Sequence, residues 1–170
     1  MARSALINVM VGAARKAGRS LARDFGEVEK LQVSRKGPAD FVSSADRKAE
    51  EIVREELDRA RPGYSFLGEE IGAIEGIDGQ HRWIVDPLDG TVNFVHGIPQ
   101  VSVSVGLWEG STPLAGVIYD PLRDECFAAA AGEGATLNDQ PISVSSISNL
   151  DRSVVATGFP YDHGDYADEY

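Results

Sequence analysis

Between Val101 and Leu107 the chain alternates strictly, with Val101, Val103, Val105 and Leu107 on one side and Ser102, Ser104 and Gly106 on the other. A period of two fixes an extended strand with one face turned to a core, since a helix would scatter the same residues around its circumference. Turn residues at Glu109-Gly110-Ser111 and Asp120-Pro121 then bracket a strand over Leu114 to Tyr119. Further strands are expected over Cys126 to Ala131, ahead of Gly132 and Gly134, and over Ile142 to Val144, after Asn138-Asp139. The last expected strand runs from Ser153 to Thr157.

The first sixty residues carry a different period. Leu6, Met10, Ala13, Ala17 and Leu21 recur at spacings of three and four, which predicts an amphipathic helix from about Ala5 to Arg23. The apolar run at its start, Ala5 to Ala14, is too short to span a membrane, and its periodicity favours a helix over a signal peptide. An extended segment over Glu29 to Arg35 and a turn at Lys36-Gly37-Pro38 precede a second helix over Ala45 to Ala60. Its expected stripe is Ala49, Ile52, Val53, Leu57 and Ala60, with Glu50/Arg54 and Glu55/Arg59 as surface ion pairs and Pro62-Gly63 as its stop. Strands over Tyr64 to Leu67 and Arg82 to Val85 follow. Two helices followed by an antiparallel meander describe an α+β layered fold.

The 170 residues hold 27 Asp and Glu against 16 Lys and Arg, a net charge of −11 that disfavours nucleic acid and anionic membranes. Eight of the cations fall in the first 36 residues, so the remainder is strongly acidic and needs a counter-cation to handle an anionic ligand. The single thiol, Cys126, excludes an internal disulfide and fits a reducing compartment.

Candidate chemistry gathers where two expected strands end. Asp86 and Asp89, three apart across a proline-containing turn, can converge on one cation with the Leu88 carbonyl as a third oxygen donor, and hard oxygens select magnesium, manganese or calcium. The same Asp-Pro-Leu-Asp-Gly run also suits a plain turn. Glu69-Glu70 suits a solvated strand end, and Asp46 with Ser43 suits a capping box at a helix start. Taken together, five carboxylates (Asp46, Glu69, Glu70, Asp86 and Asp89) beside a helix start at Gly90-Thr91 describe a cation site next to an anion cradle. That is the equipment of metal-assisted phosphoryl hydrolysis.

The run from Trp83 to Phe94, Trp-Ile-Val-Asp-Pro-Leu-Asp-Gly-Thr-Val-Asn-Phe, resembles the central motif of the inositol monophosphatase family. Gly68-Glu69-Glu70 resembles its upstream motif, and Lys36 to Asp46 its N-terminal metal- and lithium-site segment. The resemblance implies the layered αβαβα sugar-phosphatase fold shared with fructose-1,6-bisphosphatases. It implies two or three Mg2+ ions, replaceable in binding by Mn2+ or Ca2+, held by Glu69, Asp86, the Leu88 carbonyl and Asp89, with Glu70 supporting a third site. Thr91, with Glu69 or Asp46 behind it, would orient the attacking water, while Asp89, Gly90, Thr91 and Lys36 would meet the phosphorylated substrate. Asn93 and Phe94 would shape the loop.

By the same resemblance the substrate is inositol monophosphate or another small polyol or sugar phosphate. Fructose 1,6-bisphosphate, histidinol phosphate and 3′-phosphoadenosine phosphates are alternatives, the last disfavoured by Val92-Asn93-Phe94 where nucleotide-cleaving relatives carry Lys-Glu-Phe. Regulatory binding to the transcription machinery, through the basic N-terminal arm, is a second class of function. The family implies a cytoplasmic homodimer at full length. Its later Trp-Asp-x-Ala-Ala-Gly motif, whose aspartate completes the second metal site, does not occur in this sequence. Residues 1–150 are therefore expected to form the N-terminal metal-binding lobe and 151–170 to begin a C-terminal α/β lobe, without which activity is impaired and apolar strand surface is left bare.

Overall fold

A computed structural model describes residues 4–31 and 38–156. Two long helices lie across one face of an eight-stranded sheet: α1 (Ala5–Leu31) and α2 (Pro38–Ala60) pack on each other, α1 against the middle of the sheet and α2 against its early strands. The strands are β1 (Ser65–Gly68), β2 (Gly72–Ile74), β3 (His81–Asp89), β4 (Ser102–Glu109), β5 (Thr112–Asp120), β6 (Glu125–Ala130), β7 (Gly134–Leu137) and β8 (Gln140–Ile142), in the spatial order β2-β1-β3-β4-β5-β6-β7-β8. A single turn of helix, α3 (Thr91–Val95), follows β3, and a 3-10 turn spans Leu150–Arg152. Helices segregated to one face of a largely antiparallel sheet are the α+β arrangement expected from the sequence.

The core lies between the helices and the sheet. Met10, Ala14, Ala17 and Leu21 of α1 and Ala49, Val53 and Leu57 of α2 are fully buried against Trp83 and Val85 of β3, Val103, Val105 and Leu107 of β4, and Val117 and Tyr119 of β5. The alternation in β4 is borne out: the buried side is the valine side, and Ser102, Ser104 and Gly106 face the other way.

The structure corrects several boundaries. α1 runs eight residues past Arg23, to Leu31, so the extended segment expected over Glu29 to Arg35 is helical where it is described, and Lys36-Gly37 lies outside the described residues. α2 begins at Pro38 rather than Ala45, because proline's fixed φ and missing N–H suit a first helical turn. Ser43 and Asp46 therefore sit inside the helix, and the capping-box reading of Asp46 fails. Two short strands, β2 and β7, were not expected from patterning, since three or four residues are too few to display a period. Ser153 to Ala156 form no strand, and Thr157 lies outside the described residues.

The meander from β3 to β8 is antiparallel throughout, but β1 pairs with β3 in parallel, Ser65 opposite Arg82 and Gly68 opposite Val85. This pair has the larger consequence for the site, since it brings the ends of β1 and β3 to the same edge of the molecule.

The sheet's other face is apolar and open. Register sets Ile84, Gly106, Gly116 and Ala129 in one cross-strand row and Ser104, Ile118 and Phe127 in the next. Ile118 is 50% exposed, Phe127 38% and Ile84 37%. The bare apolar surface is thus a central face of the sheet rather than an edge. Among the described residues no helix is long and apolar enough to cross a membrane.

Candidate active site

The site is built from α2, the ends of β1 and β3, and the turn after β3. Asp46 and Glu50 are one helical turn apart, on the buried stripe of α2 with Val42, Ala45, Ala49, Val53 and Leu57. Asp46 is only 3% exposed, and its Oδ1 has no hydrogen-bond partner. Burial, reinforced by the carboxylates of Glu70, Glu69, Asp86 and Glu50, pushes Asp46 up to about 7. Three of those neighbours, Glu70, Glu69 and Asp86, are among the expected carboxylates, and Glu50 is a fourth that was not expected.

β1 ends at Gly68 beside Val85, so the next residues, Glu69 and Asp86, leave the parallel pair side by side. Asp86 is pushed up to about 6, first by burial, then by Glu69 and Asp89, against the lowering effect of the hydrogen bond donated by Leu88 N–H to Asp86 Oδ1 at 3.1 Å. Between Asp86 and Asp89 the β3–β4 register slips at Pro87 and Leu88, and the Leu88 carbonyl accepts the Thr91 hydroxyl at 3.0 Å. Asp89 is exposed, and its Oδ2 accepts the Ser102 hydroxyl at 3.3 Å. Glu70 accepts from Arg47 Nε at 3.2 Å.

Gly90 closes the turn at φ +93°, and a Cβ there would meet the Gln100 carbonyl at 2.7 Å, so the close approach needs glycine. Asn93 Nδ2 donates to that carbonyl at 2.8 Å, and Phe94 is buried edge-on against Phe25. Both therefore shape the loop. Lys36, the expected substrate-side cation, lies outside the described residues.

The donor set is all oxygen: Asp46, Glu69, Glu70, Asp86, Asp89 and the Leu88 carbonyl. Among the described residues no group of three or more His, Cys, Asp and Glu side chains is placed to hold a metal ion. Asp86 Oδ1 accepts Leu88 N–H, Glu70 accepts Arg47 Nε and Asp89 accepts the Ser102 hydroxyl. A buried carboxylate oxygen without a partner, beside a second carboxylate also raised by its neighbours, is nevertheless an excess of negative charge that a hard divalent cation would neutralise. The all-oxygen chemistry of the donor set fits such a cation.

Without a cation, the sign of the pH dependence follows. Asp46 holds its proton to about pH 7 in the fold but only to about 4 when unfolded, so the native state binds more protons across that window. Its contribution to stability is therefore lost as pH rises from about 4 to 7, the reverse of an ion-paired carboxylate. With cations chelated, Asp46→Asn should match the parent at pH 4 and exceed it by about 2 kcal/mol at pH 8, after allowance for screening. Urea midpoints at both values check this, and a constant difference would remove Asp46 from the charge cluster.

Sequence reasoning missed Glu50, Arg47 and Ser102. Glu50 was expected as a surface partner of Arg54, whereas it is fully buried and accepts main-chain N–H groups, and Arg59 pairs with Glu56 rather than Glu55. The available signal was the helix stripe extended upstream: positions 42, 45, 46, 49, 50, 53 and 57 lie on one side, and two of them are acids. An acid on an apolar stripe is a buried acid with a task.

The sequence profile of the inositol monophosphatase family matches residues 2–169. The chain is 60% identical over 161 residues to an inositol-1-monophosphatase of Mesorhizobium japonicum, covering 95% of this chain and 60% of that protein. It is 39% identical over 166 residues to the Nus factor SuhB of Escherichia coli K12, covering 97% of this chain and 62% of that one. The solved inositol monophosphatase from Anabaena superposes with a TM-score of 0.79 at 40% identity, over 93% of this chain and 56% of that one. The chain thus spans about 60% of the length of the curated relatives it matches. A profile match along nearly its whole length, with the three motifs in order and the same fold, makes this chain a member of the inositol monophosphatase family.

Proposed function

We propose that this chain is the metal-binding lobe of a Mg2+-dependent phosphatase acting on inositol monophosphate or a similar small polyol phosphate, with residues 1–150 forming that lobe and 151–170 beginning a second. The observation that carries the reading is the pressure of Glu69 and Glu70 in the turn after β1, and of Asp86 in β3, on the buried Asp46 of α2, whose Oδ1 has no hydrogen-bond partner. Glu69, Asp86, the Leu88 carbonyl and Asp89 would hold two ions, and Glu70 a third or its water shell. When bound, such ions neutralise phosphate charge and acidify water.

The chain's own groups do the rest. Thr91 spends its hydroxyl proton on the Leu88 carbonyl, so its oxygen lone pairs are left to accept a hydrogen from water and fix that water's orientation. Glu69 or Asp46, behind Thr91, would complete the orientation of that water. The N–H groups of Gly90 and Thr91, with Asp89 and Lys36, would receive and position the phosphate ester.

In a full-length protein carrying these residues, Thr91→Ala should lower turnover by tenfold or more with Mg2+ affinity nearly unchanged, and Li+ should inhibit the parent. Steady-state kinetics with Mg2+ titration checks both, and a variant with normal turnover would reassign the water-orienting role.

The relative named as a Nus factor supports a second reading, contact with the transcription machinery through the basic face of α1. Much of that face is engaged internally: Lys16 bonds Glu56 at 2.6 Å, Arg15 lies over the Tyr119 ring, and Arg23 bonds Ser20. Arg19→Glu in a pull-down is therefore the sensitive test of that contact. Cytoplasmic location and homodimer formation complete the reading.

A further inference from the structure

We infer that Glu50 is the positioning residue of the cation site, holding the Glu69-Glu70 turn in the direction from which Glu69 meets Asp86. This role rests on the cation-site reading above. Glu50 is fully buried, yet it forms no ion pair with Arg54 and instead reaches from α2 under the β1–β2 turn. There Oε1 accepts the main-chain N–H of Glu70 at 3.2 Å and Oε2 that of Ile71 at 2.6 Å. Two donors that a tight turn leaves without strand partners are thus tied to a helix by one rigid, two-pronged acceptor.

Gly68 supplies independent support. A Cβ at that position would overlap the Glu50 carboxylate and the Phe66 ring, so the strand end is shaped around the carboxylate rather than merely beside it. The geometry explains why α2 carries two buried acids one turn apart. Asp46 faces the carboxylate cluster, whereas Glu50 faces the backbone that carries two of its members. Outer partners of ligating groups set ligand direction and commonly change metal affinity by 10- to 100-fold when removed.

The test compares parent, Glu50→Gln, Gly68→Ala and, as a surface control, Glu51→Gln, by calorimetric titration with Mg2+ and by melting with cations chelated. A glutamine has nearly the shape of glutamate but can accept from only one of the two N–H groups, its amide nitrogen opposing the other. Glu50→Gln and Gly68→Ala should weaken Mg2+ binding at least tenfold, with Glu51→Gln unchanged, while the metal-free Tm of Glu50→Gln moves by no more than about 4 °C. Mg2+ binding by Glu50→Gln within twofold of the parent would overturn the positioning role, as would a metal-free Tm loss well beyond that range, which marks a purely structural residue. Absence of Mg2+ binding by the parent itself would instead remove the cation site, and this role with it.

Discussion

Assayed beside the full-length Mesorhizobium relative, the 170-residue chain is expected to release phosphate from inositol monophosphate at least about a thousandfold more slowly, a barrier difference of roughly 4 kcal/mol. On the proposed reading Glu69, Asp86 and the Leu88 carbonyl would supply most of one cation site, but the second would rely on Asp86 and Asp89 without the aspartate of a Trp-Asp-x-Ala-Ala-Gly motif, which this sequence does not contain. An incomplete oxygen shell binds Mg2+ poorly. Stabilising both the attacking and the leaving oxygen needs both ions, so half a site does not give half a rate. The open face of β3 to β6, with Ile84, Ile118 and Phe127 exposed, should also make the chain self-associate. Light scattering on the assayed samples reads that directly. Comparable turnover from a monodisperse sample would show that all ligands of the second ion lie within these residues.

Millimolar Mg2+ or Ca2+ should raise the melting temperature of the folded chain, and Asp86→Asn should abolish most of the rise. Asp86 has its proton affinity raised by burial and then by Glu69 and Asp89, and on the proposed reading it would bridge two ions. A cation relieves that repulsion only in the native state, so binding stabilises by mass action, by about 3 kcal/mol at a hundredfold excess over Kd. For a chain of this size that corresponds to about 5–10 °C. Asp86→Asn keeps the shape and the acceptor for Leu88 N–H but removes the charge. Scanning calorimetry with and without Mg2+ checks the difference, and an undiminished rise in the variant would take Asp86 out of the site.

The fold class and the candidate acids were legible because both depend on local pattern. The alternation in β4 and the Asp86-to-Thr91 run declare themselves within a dozen residues. What was hidden depends on the third dimension. The parallel partnership of β1 and β3 joins segments with no shared pattern, and it brings Glu69 beside Asp86. Glu50 looked like an ordinary helix-surface acid because its role is written in the backbone of another element, 20 residues on, rather than in a side-chain motif. The first turns of α2 were misjudged because Lys36-Gly37-Pro38 reads as a break, whereas proline was serving as a helix start.

The parallel pair also governs which length changes the protein can tolerate. Between Ile74 and His81 the chain runs through a mostly exposed connection outside the carboxylate cluster, tied back to the start of β1 where Gly76 N–H donates to Ser65 Oγ and Asp78 N–H to the Gly63 carbonyl, so a length change there breaks those ties but leaves the phase of β1 and β3 intact. An inserted residue inside β1 or β3 has the opposite effect, because a shift of one position rotates every following side chain to the far side of the sheet. The number of residues between the two acidic motifs is therefore held less tightly than the phase of each strand with respect to its own motif.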